Sequence, residues 1–158
     1  MRYLILMAAV MLVFLSCNKN KYTSVPQIKF KSITPSFLST TVGPPEDGPK
    51  LTIEVTDAEG DLGFTDGKDT SYIFIKNLTV PPFKMDSFKF PSTLATRKKF
   101  KADVDIALEG DGAQPGVLDR TCTSGCTDTL YFEVYVKDFA KNKSNVIRTD
   151  KPLLFISP

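Results

Sequence analysis

The sequence predicts an all-β domain, an antiparallel β-sandwich of seven to eight short strands behind an N-terminal targeting segment. Three observations carry that expectation. Turn residues recur at intervals of roughly ten to twenty, the stretches between them alternate apolar and polar with period two, and no window of eleven or more residues shows an apolar stripe at helical spacing.

The first element is an address rather than part of the fold. Arg2 is the only charge in residues 1–16, and residues 4–15 are apolar without a break. Twelve such residues reach only about 18 Å as a helix, well short of the ~30 Å hydrocarbon core, so the segment reads as a cleaved signal and not as a permanent span. A cysteine stands where cleavage is expected. Phe14-Leu15-Ser16-Cys17 resembles the signal of bacterial lipoproteins, with a small residue before the cysteine and the polar Asn18-Lys19-Asn20-Lys21 after it. That resemblance implies removal of residues 1–16, acylation of the Cys17 thiol and new amino group, and stable anchoring by several acyl chains. Asn18 is not the Asp of the inner-membrane retention signal, which points to the outer membrane. Lys19 and Lys21 stand where surface-exported lipoproteins carry acidic residues, so the periplasmic and extracellular faces are both open at this stage.

Residues 17–25 form a polar, lipidated tether, and residues 26–158 form one domain with no internal repeat or low-complexity tract. About 140 residues remain after processing, enough to bury roughly 70% of the unfolded surface without metal or disulfide. Residues 27–33 alternate through Ile28 and Phe30 and close at Pro35. Residues 51–56 point Leu51, Ile53 and Val55 inward. Residues 71–77 are almost continuously apolar or aromatic at Tyr72, Ile73, Phe74 and Ile75, as in a central strand covered on both sides. Residues 83–90 are a further candidate strand. Residues 99–108 alternate Phe100, Ala102, Val104, Ile106 and Leu108 against Lys99, Lys101, Asp103 and Asp105. Residues 129–137 give the clearest pattern, with Leu130, Phe132, Val134 and Val136 opposite Tyr131, Glu133, Tyr135 and Lys137. The stretch 146–156 breaks at Pro152, as at an edge or a strand switching sheets. That strand count, without a helix, in about 130 residues is the pattern of an immunoglobulin-like antiparallel β-sandwich. Two long loops, 40–50 and 108–129, would carry binding residues on such a scaffold.

Composition excludes several functions. The chain has no His, which removes Ser-His-Asp and Cys-His nucleophiles and every His-ligated zinc or iron site. A net charge of +2 argues against a nucleic-acid partner. A pair of carboxylates can hydrolyse glycosides, but here the carboxylates crowd into one loop after a strand. That loop holds Asp57, Glu59, Asp61, Asp66 and Asp69, interleaved with Gly60, Gly63 and Gly67. Calcium takes six to eight hard oxygens, and glycines let a loop fold tightly around it. An EF-hand is excluded, because its glycine would fall at the fourth position and Lys68 at the twelfth. An inter-loop calcium site using Asp57, Glu59 and Asp61 is one reading, and a solvated turn whose Asp side chains cap backbone N–H groups is the other.

A second motif ends the strand pattern: Val136, Asp138, Ala140, Asn142 and Ser144 resemble the turn between the last two strands of many bacterial immunoglobulin-like domains. Together with the acidic loop it is similar to small uncharacterised outer-membrane lipoproteins carrying one such domain. Lys141 stands where that pattern has Gly, so the left-handed position is expected to shift onto Asn142. Where two such loops meet at one end, Asp138 would join the calcium ligands; otherwise Asp138 and Asn142 satisfy their own backbone.

With Cys17 lipidated, Cys122 and Cys126 form an even pair in an oxidising compartment, and a local disulfide is expected. Their C-x-x-x-C spacing, with no helix after it, does not fit a redox-active pair. Tyr131 and Tyr135 flank Glu133 on the outward face of their strand, an arrangement for stacking a carbohydrate or for cross-strand pairing. Arg97, Lys98, Lys99 and Lys101 read as a solvated turn and a charged strand face. The expectation for function is a membrane-anchored, non-enzymatic binding or structural module, calcium-stabilised if the acidic loop holds the ion. Its partners would be the membrane through Cys17 and a protein or glycan, and the alternative is a carbohydrate-recognition accessory lipoprotein of a nutrient-uptake system.

Overall fold

Period-two patterning sets which side of each strand is buried, and the apolar sides converge. The computed structural model describes residues 22–41, 48–64, 70–79, 81–83, 85–90, 98–108 and 117–158. The targeting segment 1–16, Cys17, most of the tether, and parts of both long loops lie outside these residues. Among the described residues the chain is all-β, without a helix. Its segments are β1 (Gln27–Thr34), β2 (Phe37–Ser39), β3 (Lys50–Asp57), β4 (Tyr72–Asn77), β5 (Met85–Lys89), β6 (Phe100–Ala107), β7 (Cys126–Leu130), β8 (Phe132–Lys137), β9 (Ile147–Arg148) and β10 (Leu153–Ser157).

Three ladders result: β1-β3-β6, β2-β10-β7 and β5-β4-β8-β9. All pairings are antiparallel except β2 with β10. Only Tyr131 separates β7 from β8, and residues 149–152 separate β9 from β10, so the second and third ladders are joined through two interrupted runs. The first run is also interrupted: β1 pairs with β3, and after the cis Thr34–Pro35 bond β2 pairs with β10. The ten segments thus amount to seven runs.

The core is built as the alternation dictates. Leu51, Ile53 and Val55 of β3 and Leu130, Phe132, Val134 and Val136 of β7 and β8 are fully buried, and Phe100, Val104, Ile106 and Leu108 join them in one cluster. In β1 a bulge between Phe30 and Ser32 shifts the alternation, so Ile33 and not Ser32 follows Ile28 inward. The burial expected on both sides of β4 is not found. Ile73 and Ile75 are buried, whereas Tyr72 and Phe74 stay half-buried on the outer side, covered by lysine side chains in place of another layer. Residues 83–90 yield only the exposed strand β5 at the end of its ladder, followed by the fully buried Phe90. β2 was not visible in the pattern, being three residues long, and β7 begins three residues earlier than the alternation suggests.

Asn145 ties the two ends of the chain together. Its Oδ1 accepts the Ile28 N–H at 2.8 Å and its Nδ2 donates to the Ile28 carbonyl at 2.9 Å, so a side chain supplies what a neighbouring strand would supply to β1. A single amide meets both needs because it carries a donor and an acceptor on one group. Asn145→Ala is expected to destabilise the fold by about 2 kcal/mol in urea denaturation, through two lost hydrogen bonds. An unchanged midpoint would show that Ile28 is served equally well by water.

Candidate functional site

The acidic loop and the turn after β8 meet. Asp57, the last residue of β3, is fully buried. Its Oδ2 accepts the N–H of Glu59 at 3.1 Å and of Gly60 at 2.7 Å, turning the chain at once. Gly60 has φ 79°, a conformation that favours glycine. Leu62, fully buried, fastens the loop to the core, and Ser71 closes it: its hydroxyl oxygen accepts the Gly63 N–H and its O–H donates to the Gly63 carbonyl. Asp138, directly after β8 and fully buried, accepts the Asn142 N–H at 2.7 Å and the Asn142 Nδ2 at 2.9 Å. Ser144 pairs with Val136 through both backbone and hydroxyl, which explains the Asn and Ser of the turn motif. The Phe139 N–H donates to the Asp61 carbonyl at 3.0 Å and joins the two loops.

The left-handed residue of this turn is Lys141, φ 69°, and not Asn142 as expected. Asn142 is held by its two bonds to the Asp138 carboxylate, so the strained conformation, costing about 1–2 kcal/mol for a non-glycine residue, stays where the motif has Gly. Lys141 Nζ donates to the Thr70 carbonyl at 3.1 Å.

The junction gathers negative charge. Burial pushes the Asp61 carboxyl up to about 6, helped by the nearby Asp138, Asp57 and Glu59 carboxylates and partly opposed by a backbone hydrogen bond. Asp57 Oδ1 and Asp61 Oδ1 are buried with no hydrogen-bond partner. Glu59 is exposed and contributes its amide. Among the described residues no three carboxylates or cysteines gather as a metal-binding set. The four expected calcium ligands, Asp57, Glu59, Asp61 and Asp138, therefore share a neighbourhood without a common centre, and two of them spend oxygens on capping; Asp66 and Asp69 lie outside the described residues. What the geometry offers chemically is a proton held near neutrality.

Cys122 and Cys126 are joined by a disulfide with Cα atoms 5.8 Å apart. Beside it Asp128, missed in the sequence, is buried and accepts the Thr121 N–H, the Thr121 hydroxyl and the Cys122 N–H. Burial alone would raise its carboxyl, but these three donors hold it below the usual range. Its sequence signal was faint, a lone carboxylate among threonines.

Tyr131 and Tyr135 do project from the outer face, half-buried. Tyr135 stacks on Phe74, centroids 4.7 Å apart and planes at 10°. The Lys143 ammonium lies 4.0 Å from the Tyr135 centroid and the Arg148 guanidinium 5.0 Å from that of Tyr131. The rings are thus partly sheathed by cations, a partnership the sequence pattern did not disclose.

No protein-family model matches the chain, and neither a curated protein nor a solved structure shows significant similarity to it.

The raised Asp61 carboxyl gives the junction a pH dependence of definite sign. The folded chain keeps a proton that the unfolded chain releases between pH 3.8 and about 6, so this contribution to stability is complete below pH 3.8 and is lost as pH rises through 6. Asp61→Asn should melt higher than the parent at pH 7.5, by about 1 kcal/mol once solvent screening is allowed for, and equally at pH 3.5. Thermal denaturation across that range checks it; a gap independent of pH would contradict the assignment.

Proposed function

We propose that the chain is a lipid-anchored cell-envelope protein of the outer membrane whose immunoglobulin-like β-sandwich serves as a non-enzymatic binding module. The observation that carries the reading is Cys17, set directly after the apolar run 4–15 and Ser16. The remaining cysteines support it: they are bonded to each other, as an oxidising compartment favours, and leave Cys17 as the one thiol of the sequence outside a disulfide. The strand order supports the sandwich. Ladder β1-β3-β6, and ladders β5-β4-β8-β9 and β2-β10-β7 linked through the interrupted runs β7/β8 and β9/β10, support reading the domain as immunoglobulin-like. Binding without catalysis fits a chain lacking His, in which the buried Asp57 and Asp138 carboxylates accept backbone N–H groups of their own turns.

A second reading, a carbohydrate-recognition accessory protein of an uptake system, is favoured by the aromatic outer face that carries Tyr131 and Tyr135.

Expression of the full chain in a Gram-negative host tests the anchor. Globomycin should accumulate the unprocessed form, and the processed form should carry acyl mass on an N-terminal Cys17; Cys17→Ala should abolish both effects. A processed chain with a free Cys17 thiol would contradict the reading.

A further inference from the structure

The outer face of β5-β4-β8-β9 carries more than two tyrosines. The strand registers arrange it in three rows running across the strands, about 6.7 Å apart. Lys89, Tyr72 and Lys137 lie side by side in the first row, which the Lys137–Lys143 bridge extends. Ser87, Phe74 and Tyr135 form the middle row. Met85, Lys76, Glu133 and Arg148 form the third. Two cationic rows therefore flank an aromatic one. With Lys141 over Tyr72, six cations face a single carboxylate, Glu133, in a chain whose net charge is only +2, so positive charge is segregated onto this side.

The opposite outer face is treated differently. There Glu54 lies 2.7 Å from Lys101 and 3.3 Å from Lys31, and the Lys101 hydrogen bond holds its carboxyl below the usual range against the effect of burial. On the β5-β4-β8-β9 face several cations lie over rings instead: Lys137 is 5.5 Å from the Phe74 centroid and Lys76 5.2 Å from that of Phe83. A cation on a ring keeps most of its charge available to a third party, whereas one hydrogen-bonded to a carboxylate does not.

We propose that this face binds an acidic polysaccharide, a glycan carrying carboxylate or sulfate groups. Tyr135 has Phe74 on one side and Lys143 close by, so its ring is poorly placed to stack a neutral sugar or a nucleic-acid base. What the face offers is cations in two parallel rows, with Glu133, between Lys76 and Arg148 in the third row, as an acceptor for sugar hydroxyls. The rings of Tyr72, Phe74 and Tyr135 are half-buried, which does not suit a lipid-inserting wedge. A linear polyanion rich in hydroxyls satisfies both rows. The proposal deepens the carbohydrate reading above and is independent of the anchor.

The test uses the full chain in neutral detergent and affinity electrophoresis in gels containing polygalacturonate, dextran sulfate or uncharged dextran. Retardation by at least one acidic glycan, none by dextran, and weakening as salt rises are expected. Lys137→Gln with Lys143→Gln should weaken binding at least tenfold. The charge-matched pair Lys29→Gln with Lys151→Gln, off this face, should change it less than twofold. Equal losses in the two double variants would reduce the effect to net charge and overturn the proposal. So would equal retardation by polyglutamate or oligothymidylate, or binding to anionic phospholipid vesicles without binding to either acidic glycan. A chain with acylated Cys17 that binds no probe would overturn this inference and leave the anchor standing; a glycan-binding chain without acylation would do the reverse.

Discussion

Carboxylates are costly to bury unless backbone or side-chain donors replace the water they lose, and this chain buries two of them where β3 and β8 run out. Asp57 and Asp138 each make the chain that follows fold back and present its N–H groups, at Glu59 and Gly60 in one case and at Asn142 in the other. The turns are consequences of that demand. Because the Phe139 N–H then reaches the Asp61 carbonyl, the two turns lean on each other and join the end of β3 in one ladder to the end of β8 in another. Asp61 loses water in the resulting junction and lies there among like charges, and burial first, then the Asp138 and Asp57 carboxylates, make it retain its proton.

The arrangement leaves the two outer faces free to differ. Strand β3 carries Glu54 outward between Lys31 and Lys101, and charge is locally cancelled. Strands β4 and β8 carry aromatic residues outward, and the lysines beside them lie against rings instead of carboxylates. The same apolar alternation builds the core beneath both, so the difference comes entirely from the residues at the alternate positions. A scaffold can in this way hold its packing constant while its surface is specialised.

Much of the fold was legible because burial on one side imposes period two; β6 and β8 show it without interruption, and β3 departs from it at Glu54, which is buried beneath its two lysines. The acidic loop and the Asp138 turn were legible as polar features after strands, and the capping alternative described their hydrogen bonds, though not their burial. Other features depend on partners far away in the chain. Asn145 serves Ile28 across 117 positions, and no local pattern marks it. The outer side of β4 looked apolar enough for a covered strand because Tyr72 and Phe74 count as hydrophobic, whereas their cover is lysine. Lys141 keeps the left-handed position because Asn142 is fixed by a carboxylate four residues back, a constraint stronger than the preference of either residue.

If the two buried aspartates organise this end of the molecule, the amides they hold must resist opening although they lie in loops. Site-resolved hydrogen exchange of the full chain measures that directly. The Gly60 and Asn142 amides should exchange as slowly as the strand amides of Val55 and Val136. Exchange of Gly60 and Asn142 at the rates of open loops, with Val55 and Val136 protected, would contradict the account and make the turns dependents of the strands instead of the link between them.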